Sequence, residues 1–366
     1  MKKEETKFKN VKSIRFEANF EGTGCVNFDE NSQKWFLIAA GMLKGDGATK
    51  DNNLFAKKVF YSEGNDVYGF NYKVSSECIR HGIFNDTMPH QNTSLQNIPT
   101  SLYSAIAHPD MITRGYTITR GKKENALRKK SIFAISDAVE IGPHRHFIDF
   151  DFHTRSGNKN DGNVETEAKS TSIYRSENVG NLKYKSTGFI NLSEAQFISA
   201  DILYDRMAVD TDGGLFEDIY LTSLKRNMVN FDPKFGHYYK SDCISKDEFS
   251  ERGVLLNEES VDMLVKRLLK NILNILIEKR GAYFKTTSLT IWVNTCEGES
   301  EPIEVTLNNI NDFYFGYCPT YTEADIELIN KNRELLKAYK ENPNYFCEIR
   351  DTKNESVGVD SINSLF

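Results

Sequence analysis

The amino-acid sequence predicts an α+β fold, in which helices pack on an antiparallel sheet and a β-hairpin arm projects from that sheet. Three observations predict it. Apolar and polar side chains alternate over residues 11–28 and again over residues 147–153, and residues 258–280 carry apolar side chains along one helical face. A period of two is typical of half-buried strands, and a period near 3.6 is typical of a helix that buries one side.

The N-terminal part is predicted to contain two strands and a short helix. Apolar residues at 14, 16, 18 and 20 alternate with polar ones along the first strand, which ends near the glycines at 22 and 24. Residues 29–66 are glycine-rich and polar and are predicted to form a loop-rich projection. A second strand over residues 67–74 feeds a helix over residues 76–84, where Ser75 or Ser76 can cap the first amides. Residues 85–100 are predicted to be a loop.

The arm is predicted to be an insertion over about residues 114–188. A strand over residues 116–120 leads into a basic run, and an apolar stretch follows from residue 131. The alternating segment at 147–153 then meets a turn rich in Gly and Asn over residues 156–163, and strands resume from Tyr174 to about residue 200. Two or more strands around a polar tip indicate a hairpin.

The helix over residues 258–280 is the strongest element of the sequence. Asn257 can cap it, two glutamates favour its positive N-terminus, and Lys279 and Arg280 lie at the negative end before Gly281. Residues 289, 291 and 293 then alternate as a strand. Strand–helix–strand halves at both ends of the chain are typical of a ferredoxin-like core with an RRM-like sheet. A further helix is predicted around residues 323–340.

Composition narrows the class of protein. The chain has 366 residues, 39% of them hydrophobic, and a mean hydropathy of -0.51, values typical of a soluble globular protein. No apolar run approaches the roughly 20 residues that a membrane span needs, and the N-terminus lacks the apolar core of a secretory signal. The six cysteines are far apart and form no CxxC pair. We therefore expect a cytoplasmic protein with reduced thiols, and no membrane partner.

Charge divides the chain into two parts. The net charge is -6, yet residues 297–366 carry 14 acidic and 6 basic side chains, whereas residues 1–296 carry 38 acidic and 40 basic ones. Within the predicted arm, residues 114–185 hold 14 basic and 9 acidic side chains. The predicted organisation is a mildly basic body over residues 1–296 followed by an acidic extension over residues 297–366. Local basic stripes of this kind are what phosphate binding requires.

Several short segments of the chain resemble, in the same order, those of one protein family. The segments are residues 11–16, 22–28, 74–84, 113–116, 170–174, 188–190, 194–199, 253–257 and 281–283. Together they resemble the backbone subunit of type I-F CRISPR Cascade complexes, especially that of the minimal variant, over about residues 11–294. No segment of residues 297–366 resembles the family.

The resemblance implies a noncatalytic subunit that polymerises along a CRISPR guide RNA. The arm of one copy would reach over the RNA onto the next copy, and the guide bases between would pair with target DNA. The implied partners are therefore the guide RNA, target DNA through the guide, further copies of the chain and other Cascade subunits. No cofactor is implied.

The candidate RNA contacts are phosphate-binding cations, hydroxyls and aromatic rings. Arg80 and His81 are expected near the start of the helix at 76–84, where free backbone amides favour an anion. The candidates in the arm are Arg114, Tyr116, Arg120, Lys122, Lys123, Arg128, Lys129, Lys130, Ser170, Thr171 and Tyr174. Such groups bind the RNA backbone without reading its sequence.

Two other functions compete with RNA coating. One is a metal-dependent ribonuclease, because His144 and His146 share a strand face near Asp149, Asp151 and His153, and imidazole and carboxylate suit zinc or manganese. Asp149, Asp151 and His153 share a face of their own, and the strand would have to be distorted to bring both sets together, so we expect no metal site. The other is a protein–protein scaffold whose basic arm binds an acidic partner. The chain has no Walker loop, GxSxG elbow or HExxH motif, so no enzymatic activity is predicted.

Overall fold

The computed structural model describes residues 6–24, 26–29, 55–63, 66–84, 105–118, 126–142, 148–155, 172–180, 182–200, 207–209, 215–227, 234–238, 251–279 and 281–318. The strands are β1 (Thr6–Thr23), β2 (Phe28–Asp29), β3 (Phe55–Ala56), β4 (Lys58–Glu63), β5 (Asp66–Val74), β6 (Tyr116–Ile118), β7 (Leu127–Lys129), β8 (Phe133–Ile135), β9 (Ala138–Glu140), β10 (Ile148–Arg155), β11 (Ser172–Val179), β12 (Leu182–Asn191), β13 (Phe197–Ser199), β14 (Lys234–Tyr238), β15 (Glu251–Leu255), β16 (Leu276–Lys279), β17 (Ala282–Thr295), β18 (Ile303–Val305) and β19 (Phe313–Tyr317). The helices are α1 (Ser76–Ile83), α2 (Pro109–Arg114), α3 (Leu192–Ala195), α4 (Leu215–Asn227) and α5 (Glu258–Leu273).

One large sheet organises the described part of the chain. Ten of its strands pair there, in the order β16-β17-β1-β12-β9-β5-β4, with β18 on β17, β8 on β12 and β19 on β1. All pairs in this sheet are antiparallel except β1 with β19. A separate three-stranded sheet has the order β13-β15-β14. The predicted α+β class with an antiparallel sheet is therefore confirmed.

Strand β1 lies in the middle of the large sheet and buries alternate side chains. Ile14, Phe16 and Ala18 have no exposed surface, and Phe20 is 1% exposed. The predicted alternation is thereby confirmed. The neighbouring strand β12 approaches closely at Gly188, where an added Cβ would overlap the Phe16 ring and the Ala134 carbonyl. Only glycine leaves room for the ring at that point.

Helix α5 covers the buried side of the sheet, but it ends earlier than predicted. Asn257 Oδ1 accepts a hydrogen bond from the Ser260 amide at 3.0 Å, which confirms the predicted cap. The helix stops at Leu273, not at residue 280, because Leu276–Lys279 instead pair with β17 as strand β16. Gly281, with a φ of 80°, forms the turn between these strands. Cross-strand pairing thus overrides helical propensity over residues 276–279.

A bidentate ion pair ties α5 to α2. Arg267 Nε and Nη2 donate to Asp110 Oδ1 and Oδ2 at 2.6 and 2.8 Å. The Asp110 side chain is 4% exposed, whereas that of Arg267 is 42% exposed. This pair holds α2, and with it Arg114 at the end of α2, against the main body.

Part of the predicted loop projection is a strand. Within residues 29–66, Lys58–Glu63 pair with β5 from Lys58 opposite Tyr72 to Glu63 opposite Asp66. The segment combines Val59 with two aromatic residues, a composition that favours strands. The loop prediction is wrong for these residues, because the polar and glycine-rich residues before them masked a short strand signal.

The first part of the predicted acidic extension joins the large sheet. Strand β18 pairs with β17, and β19 runs parallel to the start of β1. The Phe315 amide donates to Asp262 Oδ1 on α5 at 2.9 Å, so β19 also contacts the helix. The domain division at residue 296 stays a prediction, and the helix predicted around residues 323–340 lies outside the described residues.

A two-stranded antiparallel sheet lies within the predicted arm, and the projecting hairpin stays a prediction. Strands β10 and β11 pair from Ile148 opposite Val179 to Arg155 opposite Ser172. The turn predicted over residues 156–163 lies outside the described residues. Among the helices that the structure describes, none is long and apolar enough to cross a membrane.

Candidate nucleic-acid interface

The start of helix α1 is occupied by the chain's own acceptors. Ser75 Oγ accepts from the Cys78 amide at 3.4 Å, and Asp137 Oδ1 accepts from the Ser76 amide at 2.8 Å. Burial raises the pKa of Asp137, but hydrogen bonds from Lys73 and Ser76 outweigh it and lower that pKa below its ordinary value. A carboxylate of the protein therefore takes the position that we predicted for an RNA phosphate.

Arg80 and His81 lie in the last turn of α1, so their predicted placement at the helix start is wrong. The helix begins at Ser76 and has only eight residues, which leaves both side chains near its C-terminus. His81 is exposed and lines a cleft of about 500 Å³ together with Lys57, Glu77 and Lys279. Because basic and acidic side chains both line this cleft, it does not favour an anion.

Arg80 instead holds three parts of the chain together. Its Nη2 donates to the Arg114 carbonyl at 2.9 Å, and its Nη1 donates to the Phe133 carbonyl at 3.3 Å. Both nitrogens also reach Ser131 Oγ, at 3.4 and 3.5 Å. The guanidinium lies 4.6 Å from the centre of the Phe133 ring. Arg80 is thus chiefly a positioning residue for the ends of α2 and β8.

Arg114 lies beside Arg80 because of an unusual backbone at the next residue. Gly115 has a φ of 75°, and a Cβ there would meet the Lys129 carbonyl at 2.5 Å and the Ser131 amide at 2.6 Å. Glycine alone allows this approach. The Arg114 guanidinium lies 6.0 Å from the Phe84 ring, and the Phe84 and Phe133 rings pack edge to face at 5.5 Å. We call Arg80, Phe84, Arg114, Ser131 and Phe133 the arginine corner.

The arginine corner carries two positive charges and, within the part of the chain that the structure describes, no balancing carboxylate. Burial lowers the pKa of Arg80 and of Arg114, and the charge of Arg114 lowers that of Arg80 further. Among the described residues, neither guanidinium pairs with an acidic side chain, and the buried Nη1 of Arg114 has no hydrogen-bond partner. Two adjacent, partly desolvated cations are stabilised by a bound anion. Arg114 is therefore the predicted contact whose chemistry best suits a phosphate.

The other predicted contacts near the corner have partners within the protein. Tyr116 donates from its hydroxyl to the Ala208 carbonyl at 2.9 Å. Lys129 is buried, and its Nζ lies 3.3 Å from the carbonyls of Lys130 and Glu194, so a phosphate cannot reach it in this conformation. Burial lowers the pKa of Lys129 to about 8.

Lys130 is the most accessible of the predicted cations that the structure describes near the corner. Its side chain is 75% exposed, and its Nζ pairs with Glu194 Oε1 at 3.0 Å. Arg128 is half-buried on β7. Exposed ion pairs are weak, so a phosphate can compete with Glu194 for Lys130.

The remaining predicted residues cannot be placed at a site. Arg120, Lys122, Lys123, Ser170 and Thr171 lie outside the described residues. Tyr174 faces His153 in the β10–β11 register, and only the backbone of both is described. The same holds for Asp149 and Asp151 of the alternative metal site, while His144 and His146 lie outside the described residues. The metal prediction accordingly stays a prediction.

The solvent face of the sheet carries a second candidate surface, which the sequence reasoning missed. Arg15 of β1 is opposite Phe189 of β12 and opposite Trp292 of β17. The Arg15 guanidinium lies 4.0 Å from the Trp292 ring, and Phe189 is 52% exposed. We call these three residues the aromatic row. Its flat rings and cation are suited to stacking on nucleic-acid bases.

Charge around the aromatic row is mixed. Arg15 Nε pairs with Glu299 at 3.2 Å, and Lys185 pairs with Glu17 at 2.9 Å. Exposed Lys183 forms no ion pair with any residue that the structure describes. A signal for this surface exists in the sequence, because the alternation that buries Phe16 and Ile190 places Arg15 and Phe189 on the outer face.

Comparisons with known proteins give a family and weak structural likenesses. The family model described as "Type I-Fv CRISPR-associated protein Cas7fv-like" matches residues 10–302. A search of curated proteins finds no match.

Three solved structures show a distant likeness. A chain of a "CRISPR RNA-guided surveillance complex" is 11% identical with a TM-score of 0.32, over 89% of this chain and 84% of that one. A chain of a "CRISPR RNA-guided surveillance complex, pre-nicking" is 9% identical with a TM-score of 0.33, over 76% and 75%. A chain of a "Type IV-B CRISPR Complex" is 8% identical with a TM-score of 0.26, over 66% and 90%. TM-scores this low support no inference about function.

Proposed function

Because the chain belongs to the type I-Fv CRISPR-associated Cas7fv-like family, we propose that it is a noncatalytic backbone subunit that polymerises along a CRISPR guide RNA. The family match over residues 10–302 is the observation that carries this proposal. It also fits the more specific resemblance to the minimal type I-F variant. The partners are then the guide RNA, further copies of the chain, other Cascade subunits and, through the guide, target DNA.

The arginine corner supports RNA binding through phosphates. It offers two adjacent, partly exposed cations with no carboxylate partner among the described residues. A phosphate that approaches the solvent-exposed part of these two half-buried side chains supplies the missing negative charge. Contacts of this kind do not depend on base identity, as a protein that coats any guide requires.

The aromatic row supports a second contact that is equally independent of sequence. Every base has a flat face, so Phe189 and Trp292 can stack on any of the four. The row and the arginine corner lie on opposite faces of the sheet, because Phe133 is buried while Ala134, its neighbour on β8, pairs with the outward-facing Phe189. The two surfaces can therefore be changed independently of each other.

The architecture that we propose follows the family. The palm is RRM-like and spans residues 1–296, with a projection over about residues 29–66 and an arm over about residues 114–188 that contains the β10–β11 hairpin. The hairpin would reach the neighbouring copy on the RNA. Residues 297–366 would form an acidic extension whose first strands, β18 and β19, pack on the palm.

The experiment that tests the proposal is purification from a host that expresses a CRISPR array. The ratio of absorbance at 260 and 280 nm reports bound nucleic acid, and sequencing identifies it. We expect repeat-flanked guide RNAs, large RNA-bound particles and an affinity for unrelated RNAs that falls as salt rises. Protein free of RNA under these conditions, or equal affinity at low and high salt, contradicts the proposal.

The noncatalytic part of the proposal has its own test. Labelled RNA is incubated with the protein in the presence of manganese or zinc and resolved on a gel. We expect intact RNA. Cleavage that is lost in a double variant with His144→Ala and His146→Ala would establish the ribonuclease alternative, because these are its candidate metal ligands.

A further inference from the structure

Two cysteines that are distant in the sequence meet at one end of the large sheet. The Sγ atoms of Cys296 and Cys318 lie 3.2 Å apart, although the residues are 22 positions apart along the chain. Cys296 is exposed and Cys318 is half-buried. Spacing in the sequence gives no sign of this pair, because neither residue belongs to a CxxC motif.

The backbone of β1 holds the two cysteines in place. The Cys296 amide donates to the Asn10 carbonyl at 3.2 Å, and the Cys318 amide donates to the Val11 carbonyl at 2.9 Å. Val11 pairs with Thr295 of β17 on one edge and with Tyr317 of β19 on the other, so each cysteine follows directly on a residue paired to Val11. Asn10 has a φ of 54°, and the register of β1 shifts at this point. The thiols thus meet across an irregular end of β1.

Two thiols whose sulfur atoms lie 3.2 Å apart can form a disulfide with a small movement. A disulfide requires the sulfur atoms to approach to about 2.05 Å, a closure of roughly 1.1 Å from the observed separation. The bond would join the end of β17 to the end of β19 and enclose β18 and β19. We infer that Cys296 and Cys318 form a reversible disulfide by exchange with a low-molecular-weight disulfide such as oxidised glutathione.

The exchange proceeds in two steps. The Cys296 thiolate attacks one sulfur of oxidised glutathione, forming a mixed disulfide and releasing one glutathione thiolate, which takes up a proton. The Cys318 thiolate then attacks the Cys296 sulfur, forming the internal disulfide and releasing the second glutathione. One small disulfide is reduced for each protein disulfide formed, and both cysteine protons end on glutathione.

Exposure assigns the order of attack. Cys296 is the more exposed thiol, so it meets the reagent first. The hydrogen bond with Cys296, together with burial, raises the pKa of Cys318, so a smaller fraction of this thiol is present as the reactive thiolate. Once Cys296 carries glutathione, Cys318 is the neighbouring thiol that displaces it.

The disulfide would lock β19 against the body. In the described structure β19 is held by the Phe315 bond to Asp262, by the Tyr317 hydroxyl at 3.2 Å from the Leu256 carbonyl, and by the Tyr314 hydroxyl at 3.2 Å from Glu258. Closing a 22-residue loop raises the melting temperature by about 4 °C in the chain-entropy account. The chain would then be covalently fixed at Cys318, the last of the described residues.

The test uses the full chain and oxidised glutathione at pH 8, followed by mass spectrometry. We expect an intact protein that has lost two hydrogens, a peptide pair joining Cys296 to Cys318, and reversal by dithiothreitol. The Cys318→Ser variant should instead keep one glutathione on Cys296, because no neighbouring thiol displaces it. The Cys78→Ser variant, which changes a half-buried cysteine outside the pair, should still form the link.

The experiment distinguishes a pair of cysteines that forms a disulfide from a pair that is only in contact. Each variant is first compared with the parent protein under reducing conditions, where equal melting temperatures show that the fold is intact. Wild-type protein that gains glutathione on Cys296 without forming the 296–318 link overturns the inference. A melting temperature that stays the same when the 296–318 link is present contradicts the locking of β19. RNA binding has no part in the readout, so the proposed function stands or falls separately.

Discussion

Replacing Arg114 by glutamine separates RNA binding from folding. Arg114 has a half-buried guanidinium, a buried Nη1 with no hydrogen-bond partner among the described residues, and Arg80 as a neighbouring cation. Glutamine keeps a polar side chain of moderate length and removes the charge. It takes away no described hydrogen bond made by the guanidinium, because the Arg80 bond ends on the Arg114 carbonyl.

The magnitudes follow from these contacts. A charge-assisted contact to a phosphate contributes about 1.5–3 kcal/mol, so the dissociation constant of RNA should rise about 10- to 150-fold. The free energy of unfolding should change by less than about 0.5 kcal/mol, since relief of the repulsion from Arg80 offsets the lost packing on Phe84. The salt slope of binding should become shallower by about 0.7, the value for one phosphate contact to a single strand.

The assay is fluorescence anisotropy with unrelated RNAs at several salt concentrations, beside thermal unfolding. Lys270→Gln is the matched control, because it removes one positive charge from α5, where Nζ bonds Asn311 at 2.8 Å. Arg80→Gln is the structural control: it leaves the Arg114 carbonyl without its donor, while the Phe133 carbonyl keeps the Ser131 hydroxyl at 2.8 Å, at a cost of about 1–2 kcal/mol in stability. If Arg114→Gln binds RNA as tightly as Lys270→Gln does, the arginine corner is not a phosphate site.

Three further predictions concern single side chains. Lys129→Met should stabilise the protein at pH 7 by less than about 3 kcal/mol, because burial lowers the pKa of Lys129 from 10.5 to about 8 and the folded state must hold a desolvated charge below pH 8, while the lost bonds to the Lys130 and Glu194 carbonyls offset part of the gain. Between about pH 8 and 10.5 the unfolded chain binds more protons than the folded protein, so the stability of the wild type should rise towards that of the variant. Denaturant titrations measure this difference in stability, and a difference that does not change with pH would exclude the buried charge as its cause. Asp110→Asn should lower the free energy of unfolding by about 2 kcal/mol. This is less than the loss of a fully buried ion pair would cost, because the Arg267 side chain is 42% exposed. An unchanged melting temperature would contradict this prediction. Phe189→Ala should weaken RNA binding by about 1–3 kcal/mol without loss of stability. The control variant Leu276→Ala, which removes another exposed apolar side chain, should leave RNA binding unchanged. Equal effects of the two variants on binding would count against stacking.

The strands and helix caps were largely predictable because they depend on local patterns. The alternation around Phe16 correctly predicts the buried face of β1, and Asn257 and Ser75 cap the helices for which they were proposed. Periodicity and capping act over a few residues, so the sequence shows them directly. The end of α5 was mispredicted because Ile275 and Leu276 continue the apolar pattern while pairing with β17 ends the helix.

The candidate site was predictable only in its residue types. The sequence by itself determined that cations and aromatic residues cluster in the chain, that the class is α+β, and that ordered segments resemble a CRISPR family. Tertiary structure alone decided that Arg114 lacks an acidic partner among the described residues while Lys129 is buried, and that Cys318 meets Cys296. The physical reason is that burial and partner identity depend on contacts between distant segments, as between α1, α2 and β8 around Arg80, and such contacts leave no period in the sequence.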